Sequence, residues 1–256
     1  MISPVIPVAD VWTAMPWWGW AVMALVGIVV GFSKTAIGNV VLLGVAAMAW
    51  LLPARDSTGV MLVMLLSGDV IAVCVYRKNV DWRLLARMIV PVLIGLGAGW
   101  FFLGRVNDQI LERTIGVILL VLLGVSWWMR RRGADAVHGG LLPSLGYGSL
   151  AGFTTMVANA GGPAMSLYLL AAKFDKWRFI GTSAWFFFAV NSIKVPISIQ
   201  LGLIRPETAV LSATLIPAVI VGAVLGRVLI KRIAQDLFER LVTIFVAVAA
   251  LYLVIA

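Results

Sequence analysis

The sequence has few of the residues from which enzyme active sites and metal sites are usually built. Only 12% of its 256 residues are charged, and it contains one cysteine, Cys74, and one histidine, His138. A lone cysteine excludes a disulfide within the chain, and a lone histidine leaves too few ligands for a typical zinc site. Hydrolysis by a Ser-His or Cys-His pair is disfavoured on the same grounds. We therefore predict no catalytic residue, no metal and no cofactor.

Apolar residues make up most of the chain instead. The sequence is 62% hydrophobic with a mean hydropathy of +1.05, which is more than a soluble domain of this length can bury. Ten apolar runs are separated by short polar segments, whereas a spanning helix needs about 20 residues. The runs lie at about 17–33, 36–52, 57–76, 84–103, 110–129, 141–157, 162–172, 179–200, 207–230 and 237–255. This pattern predicts an all-α polytopic membrane protein with about 8–10 transmembrane segments in a lipid bilayer.

Two of the apolar stretches are interrupted by polar breaks that contain glycine. GFSKTAIGN at 31–39 and GFTTMVANAGGP at 152–163 both open with Gly-Phe. Helices broken at corresponding places of two repeats commonly mark the binding site of a transporter. Each break predicts a broken helical hairpin, either re-entrant or fully spanning. Irregular backbone at membrane depth is tolerated only where it lines a cavity or is buried in protein.

Similarity between the two halves predicts an internal repeat. GRVNDQILER at 104–113 aligns with KRIAQDLFER at 231–240, sharing charged positions as well as apolar ones. Five runs per half is an odd number, so the second copy enters the membrane from the opposite side. We expect two inverted five-segment repeats, at 1–133 and 134–256. Upstream glycines also align, namely Gly95 with Gly222 and Gly99 with Gly226.

The basic residues predict the orientation. With the N-terminus outside and the ten runs alternating, fourteen of the twenty lysines and arginines fall in cytoplasmic loops and four in outer loops. An excess of positive charge marks the cytoplasmic side of a membrane protein. It also accounts for the net charge of +9 without a nucleic-acid partner. We expect a multi-pass protein of the cell inner membrane.

Three charged side chains lie within the apolar segments or their breaks: Lys34, Asp69 and Lys194. A lysine at helix-centre depth costs about 2.5–3.5 kcal/mol on insertion scales, so it normally marks a site or a partner. The repeat alignment places Asp69 opposite Lys194, and no acid is evident near Lys34 in its own half. We expect both lysines to attract an anionic substrate, with Asp69 tuning one lysine or carrying a proton. The alternative is an Asp69–Lys194 ion pair that only holds the repeats together.

The second break offers a different kind of anion site. Gly161 and Gly162 precede Pro163, which suits the first turn of a helix. A half-helix beginning there presents unpaired backbone N–H groups and the positive end of its dipole. The aromatic run at 185–188 is expected mainly to face lipid. Neutral side chains expected near the same anion are Thr154, Thr155, Asn159, Asn39 and Asn191.

At these residues the sequence resembles the sulfite exporter TauE/SafE family. The likeness rests on the Gly-Phe break in each half, on TTMVANAGGPAMSLYLL at 154–170 and on GTSAWFFFAVNSIKVP at 181–196. It covers most of the chain, because members of the family have two homologous halves of this size. The resemblance implies transport of small sulfur-containing anions, such as sulfite, sulfoacetate or related organosulfonates, across the bacterial inner membrane.

We therefore expect a secondary transporter that works by alternating access. Export is favoured because each elementary charge moved is worth about 2.3 kcal/mol per 100 mV of inside-negative potential. Proton- or sodium-coupled uptake is the alternative, and a non-transporting scaffold or sensor is less favoured. An intramembrane enzyme is disfavoured, because Ser33–Lys34 and Ser192–Lys194 are too close in sequence to face each other on a helix. The oligomeric state stays open, with a homo-oligomer among the options.

Overall fold

The computed structural model describes residues 6–36, 40–78, 80–132, 141–171 and 176–229, together with Leu251, Val254 and Ile255. Within these ranges the elements are helices and none is a strand. After a 3-10 turn at Val8–Asp10, the α-helices are α1 Val11–Ala14, α2 Trp17–Thr35, α3 Val41–Leu51, α4 Ala54–Tyr76, α5 Trp82–Leu103, α6 Asp108–Arg132, α7 Leu141–Ala158, α8 Gly162–Ala171, α9 Lys176–Gln200 and α10 Pro206–Leu229.

The helices confirm the predicted fold class. By length and composition, α2, α4, α5 and α10 can each cross a membrane. Nine of the ten apolar runs correspond to α2–α10, and the largest shift is the start of the second run, which moves from 36 to 41. The tenth run lies almost entirely outside the described residues, as does the segment at 231–240 that carries the repeat alignment. The chain is an all-α polytopic membrane protein.

Two pairs of helices are packed at backbone distance. A β-carbon on Gly31 of α2 would lie 1.9 Å from the carbonyl oxygen of Val219 in α10. A β-carbon on Gly95 of α5 would lie 2.1 Å from the carbonyl oxygen of Ser149 in α7. Small residues allow this approach, which lets membrane helices associate by close packing where lipid provides no hydrophobic driving force. Glycine therefore allows the close contact of α2 with α10 and of α5 with α7.

A proline inside α5 is compensated by the helix packed against it. Pro91 has no backbone N–H, so the carbonyl of Arg87, four residues earlier, loses its helical donor. The Ser144 hydroxyl of α7 donates to that carbonyl at 3.3 Å. The Ser149 hydroxyl donates to the carbonyl of Pro91 itself at 3.1 Å. Neighbouring hydroxyls are a usual way to satisfy backbone freed by proline in a membrane helix.

Arg55, at the start of α4, ties together the ends of two other helices. Its guanidinium donates to the carbonyls of Leu103 and Val106 at 3.1 and 3.3 Å, and to the carbonyl of Leu201 at 3.0 Å. These carbonyls lie at or just beyond the C-termini of α5 and α9, where no helical donor is available. A cation is also favourable at that end of a helix dipole.

At the opposite end of α4, Asp81 caps α5 and contacts the start of α9. Its carboxylate accepts from the Leu84 N–H at 3.0 Å and pairs with the Arg178 guanidinium at 2.5 Å. The Asp81 N–H donates to the Thr182 hydroxyl at 3.0 Å. The Leu84 N–H, with a smaller contribution from the Arg178 cation, holds the pKa of the Asp81 carboxyl below its usual value. Asp81 therefore links the first turns of two long helices.

Replacing Asp81 by alanine is expected to lower the free energy of unfolding by about 1 kcal/mol, the usual loss for an N-cap. Asp81→Asn keeps the cap but loses the charge, and the exposed pair with Arg178 is worth little. A carboxyl with a lowered pKa stabilises the fold above its unfolded pKa of about 3.9 and loses that contribution as the pH falls below it. Between pH 7 and pH 3, the melting temperature should therefore fall less steeply for both variants than for the wild type. An unchanged pH dependence in acid would contradict the lowered pKa of the Asp81 carboxyl.

Candidate functional site

Both breaks in the apolar sequence are gaps between a long helix and a short one. The first separates α2 from α3, and the second separates α7 from α8. α3 and α8 have 11 and 10 residues, so each is only about 15–16 Å long, too short to cross a core of about 30 Å. Their first residues, Val41 and Gly162, are buried. Both short helices thus begin inside the protein, and α8 begins where the Gly-Gly-Pro sequence predicted.

Hydrogen bonds from two other helices hold the end of α2. The Thr35 hydroxyl donates to the carbonyl of Ala223 in α10, and the Tyr76 hydroxyl of α4 donates to the carbonyl of Thr35, each at 2.9 Å. The second bond satisfies one of the carbonyls that a helix C-terminus leaves without a partner. Together they fix Lys34, which lies in the last turn of α2 and not in the break itself.

The second break turns through Asn159. Its φ of 53° lies in the left-handed region, which asparagine adopts more readily than most residues. The side-chain amide of Asn159 donates to the carbonyl of Thr58 in α4 at 3.0 Å. Gly161 follows, and a β-carbon there would lie 2.9 Å from the Thr155 β-carbon. Glycine at this position lets the break fold back closely on α7.

Asp69 connects the last turn of α2 to α9. The Lys34 ammonium nitrogen lies 2.6 Å from Asp69 Oδ1, and the Asn191 amide donates to Asp69 Oδ2 at 2.6 Å. The Asp69 side chain is wholly buried, whereas that of Lys34 is 10% exposed. The Lys34 nitrogen also lies 4.6 Å from the centroid of the Phe187 ring, a cation–π contact.

The alternative pairing of Asp69 with Lys194 is not the one that the structure places there. The ion-pair partner of Asp69 is Lys34, from the same half of the chain. The reason is that α2 passes directly over α4 beside Gly68, where a β-carbon would lie 3.0 Å from Lys34 Cγ. Lys194 is one helical turn beyond Asn191 on α9, and the Asn191 amide contacts both Lys194 and Asp69.

The Lys194 ammonium is hydrogen-bonded to Thr155 and Asn159 of the second break. Lys194 is 1% exposed. Its ammonium donates to the Thr155 carbonyl at 2.5 Å, to Asn159 Oδ1 at 2.6 Å and to the Thr155 hydroxyl at 3.3 Å. Asn191 Oδ1 lies 3.5 Å away on the other side. These oxygens use all the protons of the ammonium group, so Lys194 positions Thr155 and Asn159.

A small cavity lies between the two breaks. Its polar lining comes from the end of α2, from α7 and the turn after it, and from α9, and apolar side chains close the rest. The lining residues are Ser33, Lys34, Val41, Leu65, Thr155, Asn159, Gly162, Phe187 and Asn191.

The structure brings most of the predicted site residues to this cavity. Gly161 and Lys194 lie behind the lining, where each contacts Thr155, and Asp69 lies behind Lys34. Asn39 falls outside the described residues. The Thr154 hydroxyl donates to the Leu150 carbonyl within its own helix. The predicted residues that line the cavity are Lys34, Thr155, Asn159, Gly162 and Asn191.

Phe187 takes the less favoured of the two places that the sequence indicated, since the aromatic run could also wall a cavity. The aromatic run was expected to face lipid, but Phe187 lines the cavity and Phe186 is 4% exposed. Phe187 lies four residues before Asn191 on α9, so the two side chains share a helix face. That spacing was the available signal.

The arrangement suits a small anion. The Lys34 ammonium lines the cavity while it pairs with Asp69, and the buried N-termini of α3 and α8 add the positive ends of two helix dipoles. The first N–H groups of each helix have no partner within the helix, so they are donors for an anion. Among the described residues, no group of three His, Cys, Asp or Glu side chains is placed to hold a metal ion.

Comparison with known proteins gives one match. No match was found among the curated proteins or among the solved structures. The family model described as sulfite exporter TauE/SafE matches residues 23–253, which is nearly the whole chain. It includes both breaks, the cavity and all three buried charges. The chain therefore belongs to the sulfite exporter TauE/SafE family, a family of membrane transporters.

Proposed function

We propose that this protein is a secondary transporter that exports a small sulfur-containing anion across the cell inner membrane. The observation that carries the proposal is the Lys34 ammonium, which lines a buried cavity where two half-length helices begin. Cation, helix dipoles and amide groups all favour an anion there. The family supplies the class of anion, with sulfite, sulfoacetate and related organosulfonates as the candidates.

Reciprocal packing of the helices supports an alternating-access mechanism with two inverted repeats. α2 and α7 occupy corresponding places in the two halves, as do α5 and α10. α2 packs on α10, and α7 packs on α5, so each half has one helix that packs against the other half. A pseudo-two-fold axis relating the halves would generate this exchange, and in the proposed inverted arrangement that axis lies in the membrane plane. Motion of one repeat against the other would then open the cavity to each side in turn.

The membrane potential favours export over uptake. An anion leaving an inside-negative cell gains about 2.3 kcal/mol per net charge moved per 100 mV, so the potential alone can drive export without an ion gradient. Uptake of the same anion has to be driven by protons or sodium. With the N-terminus outside, the excess of basic residues faces the cytoplasm.

The local contacts of the serines support transport without catalysis. The Ser33 hydroxyl donates to the Val30 carbonyl at 2.9 Å, and the Ser192 hydroxyl donates to the Phe188 carbonyl at 2.7 Å. Each hydroxyl is thus bonded to its own helix, as serine in a membrane helix commonly is. Neither bond is the nucleophile–base contact that a Ser-Lys enzyme uses.

Binding of the anion is tested by the melting temperature of the purified protein in detergent. The panel is sulfite, sulfoacetate, thiosulfate, taurine, sulfate and chloride. A ligand at about 100 times its dissociation constant stabilises the folded state by about 2.7 kcal/mol. We expect at least one sulfur anion to raise the melting temperature and chloride to leave it unchanged. A flat response to every sulfur anion would contradict the proposal.

A further inference from the structure

We infer that the site carries one net positive charge, so that it moves a monoanion as such and moves a dianion only together with one proton on Asp69. The inference rests on the proposed function and specifies the charge class of its substrate. It follows from the number of charges buried around the cavity and from the hydrogen bonds that fix their signs.

Only three charged side chains surround the cavity in the described part of the chain: Lys34, Asp69 and Lys194. Of the elements around it, α3, α7 and α8 contain no charged residue at all. On α4, α5, α6, α9 and α10 the remaining charged groups lie toward the helix ends. They are Arg55, Asp56, Arg83, Arg87, Asp108, Glu112, Arg113, Arg130, Arg131, Arg132, Lys176, Arg178, Arg205, Glu207 and Arg227. Tyr76, also at a helix end, donates its proton to the Thr35 carbonyl.

Lys34 and Asp69 together contribute no net charge. Their charged atoms lie 2.6 Å apart, and the pair sums to zero whichever of the two holds the shared proton. Asp69 is wholly buried and has a second donor, the Asn191 amide, at 2.6 Å. The carboxylate thus occupies the place at Lys34 that a substrate anion needs.

Lys194 contributes the one net positive charge. Three oxygens that can only accept hydrogen bonds face its nitrogen: the Thr155 carbonyl, Asn159 Oδ1 and Asn191 Oδ1, at 2.5, 2.6 and 3.5 Å. An ammonium group has three protons for these three acceptors. A neutral amine has two, so it would leave one of them without a donor even if its lone pair accepted from the Thr155 hydroxyl at 3.3 Å. The Asn191 amide agrees, because it donates to Asp69 and directs its oxygen at Lys194.

A site of charge +1 accommodates a monoanion without leaving a charge uncompensated. A dianion in the same site leaves one negative charge buried, which is costly enough that a buried group changes its protonation instead. Asp69 is the group placed to do so, because it loses Lys34 when the substrate takes that ammonium. One proton taken up from the solution on the loading side then converts the Asp69 carboxylate to the acid. The same proton leaves Asp69 when the dianion departs on the other side, so each cycle moves one net negative charge.

The test counts charges and protons per anion in proteoliposomes that contain the purified full chain. Methanesulfonate serves as a permanent monoanion and sulfoacetate as a dianion at neutral pH. Reversal potentials report the charge moved per anion, and a trapped pH dye reports protons. We expect methanesulfonate to move one charge and no proton, and sulfoacetate to move one net charge and one proton. Sulfoacetate leaving with two charges and no proton would overturn the inference while leaving the proposed function intact. Flux of neither anion, nor of sulfite, would overturn the proposed function and the inference with it.

Asp69→Asn supplies the matched variant. It is expected to move sulfoacetate with two charges and no proton, since the carboxylate that takes up the proton is gone. Asp10→Asn removes an exposed carboxylate that does not line the cavity, and it should behave like the wild type. If Asp69→Asn moves sulfoacetate with the wild-type proton count, the proton is not on Asp69. If that variant does not fold, the proton count of the wild-type protein still decides the inference.

Discussion

Replacing Lys34 by alanine is expected to abolish anion binding and to lower the free energy of unfolding by about 3–5 kcal/mol. The variant leaves the wholly buried Asp69 carboxylate with the Asn191 amide as its remaining close donor. Breaking one partner of a buried ion pair is costly because the other charge stays in a low-dielectric environment. Melting temperature with and without sulfite measures both effects on the same sample.

The double variant Lys34→Ala/Asp69→Asn separates stability from binding. It is expected to regain most of the lost stability, because no unpaired charge remains, and to show no response to any sulfur anion. Lys78→Ala is the control, since Lys78 is an exposed lysine at the end of α4. If an anion stabilises the double variant as much as it stabilises the wild type, Lys34 is not part of the binding site. A single variant as stable as the control would show that the pair with Asp69 is not a buried one.

The second large effect is expected at Gly31, where α2 and α10 touch. In Gly31→Ala the new β-carbon would lie 1.9 Å from the Val219 carbonyl oxygen, so a whole helix has to move. Overpacking costs about 1–3 kcal/mol in general, and more where the obstacle is backbone and not a flexible side chain. We expect little folded protein from this variant in a detergent extract.

Gly97→Ala is the matched control for that experiment. Gly97 lies in α5, and a β-carbon there would have no atom within 4 Å. Alanine at an open helical position is expected to be neutral or to stabilise by up to about 1 kcal/mol. The two substitutions are chemically identical, so opposite effects isolate the helix contact. Equal melting temperatures for the two variants would contradict the close packing of α2 on α10.

The long elements of the fold were predictable because hydropathy encodes them directly. α5, α9 and α10 begin within about three residues of the apolar runs that predicted them. The breaks were harder, because Lys34 and Thr35 are polar residues that nevertheless continue α2 for its last turn. What ends α2 is the hydrogen bonding of Thr35 to α10 and α4, which no local pattern encodes. The fall in hydropathy therefore predicted a start of the first break that is a few residues too early in the sequence.

The composition of the site was more predictable than its pairings. Intramembrane charge is rare and costly, so Lys34, Asp69 and Lys194 stood out by type alone. Which lysine pairs with Asp69 depends on how α2 crosses α4, and that crossing is set by tertiary packing at Gly68. The repeat alignment placed Asp69 opposite Lys194, whereas the ion-pair partner of Asp69 is Lys34. The reason is that the two breaks lie beside different parts of α4. Thr58, bonded to the second break, and Asp69, paired at the first, are about 16 Å apart along that helix.

The two lysines thus have different roles. Lys34 faces the cavity with an ammonium that a substrate anion can contact, whereas Lys194 is enclosed by oxygens of the second break. Lys194 acts on an anion through its charge and through the positions of Thr155 and Asn159. The Asn191 amide joins the two groups by contacting both Asp69 and Lys194.

The measurement that tests the central claim most directly is sulfite efflux from proteoliposomes containing the purified protein under an inside-negative potential. We expect efflux to rise as the potential becomes more negative, to need no imposed proton or sodium gradient, and to be absent with Lys34→Ala/Asp69→Asn. Efflux that stays at the level of protein-free liposomes, or that is the same with the double variant, would contradict export through this cavity.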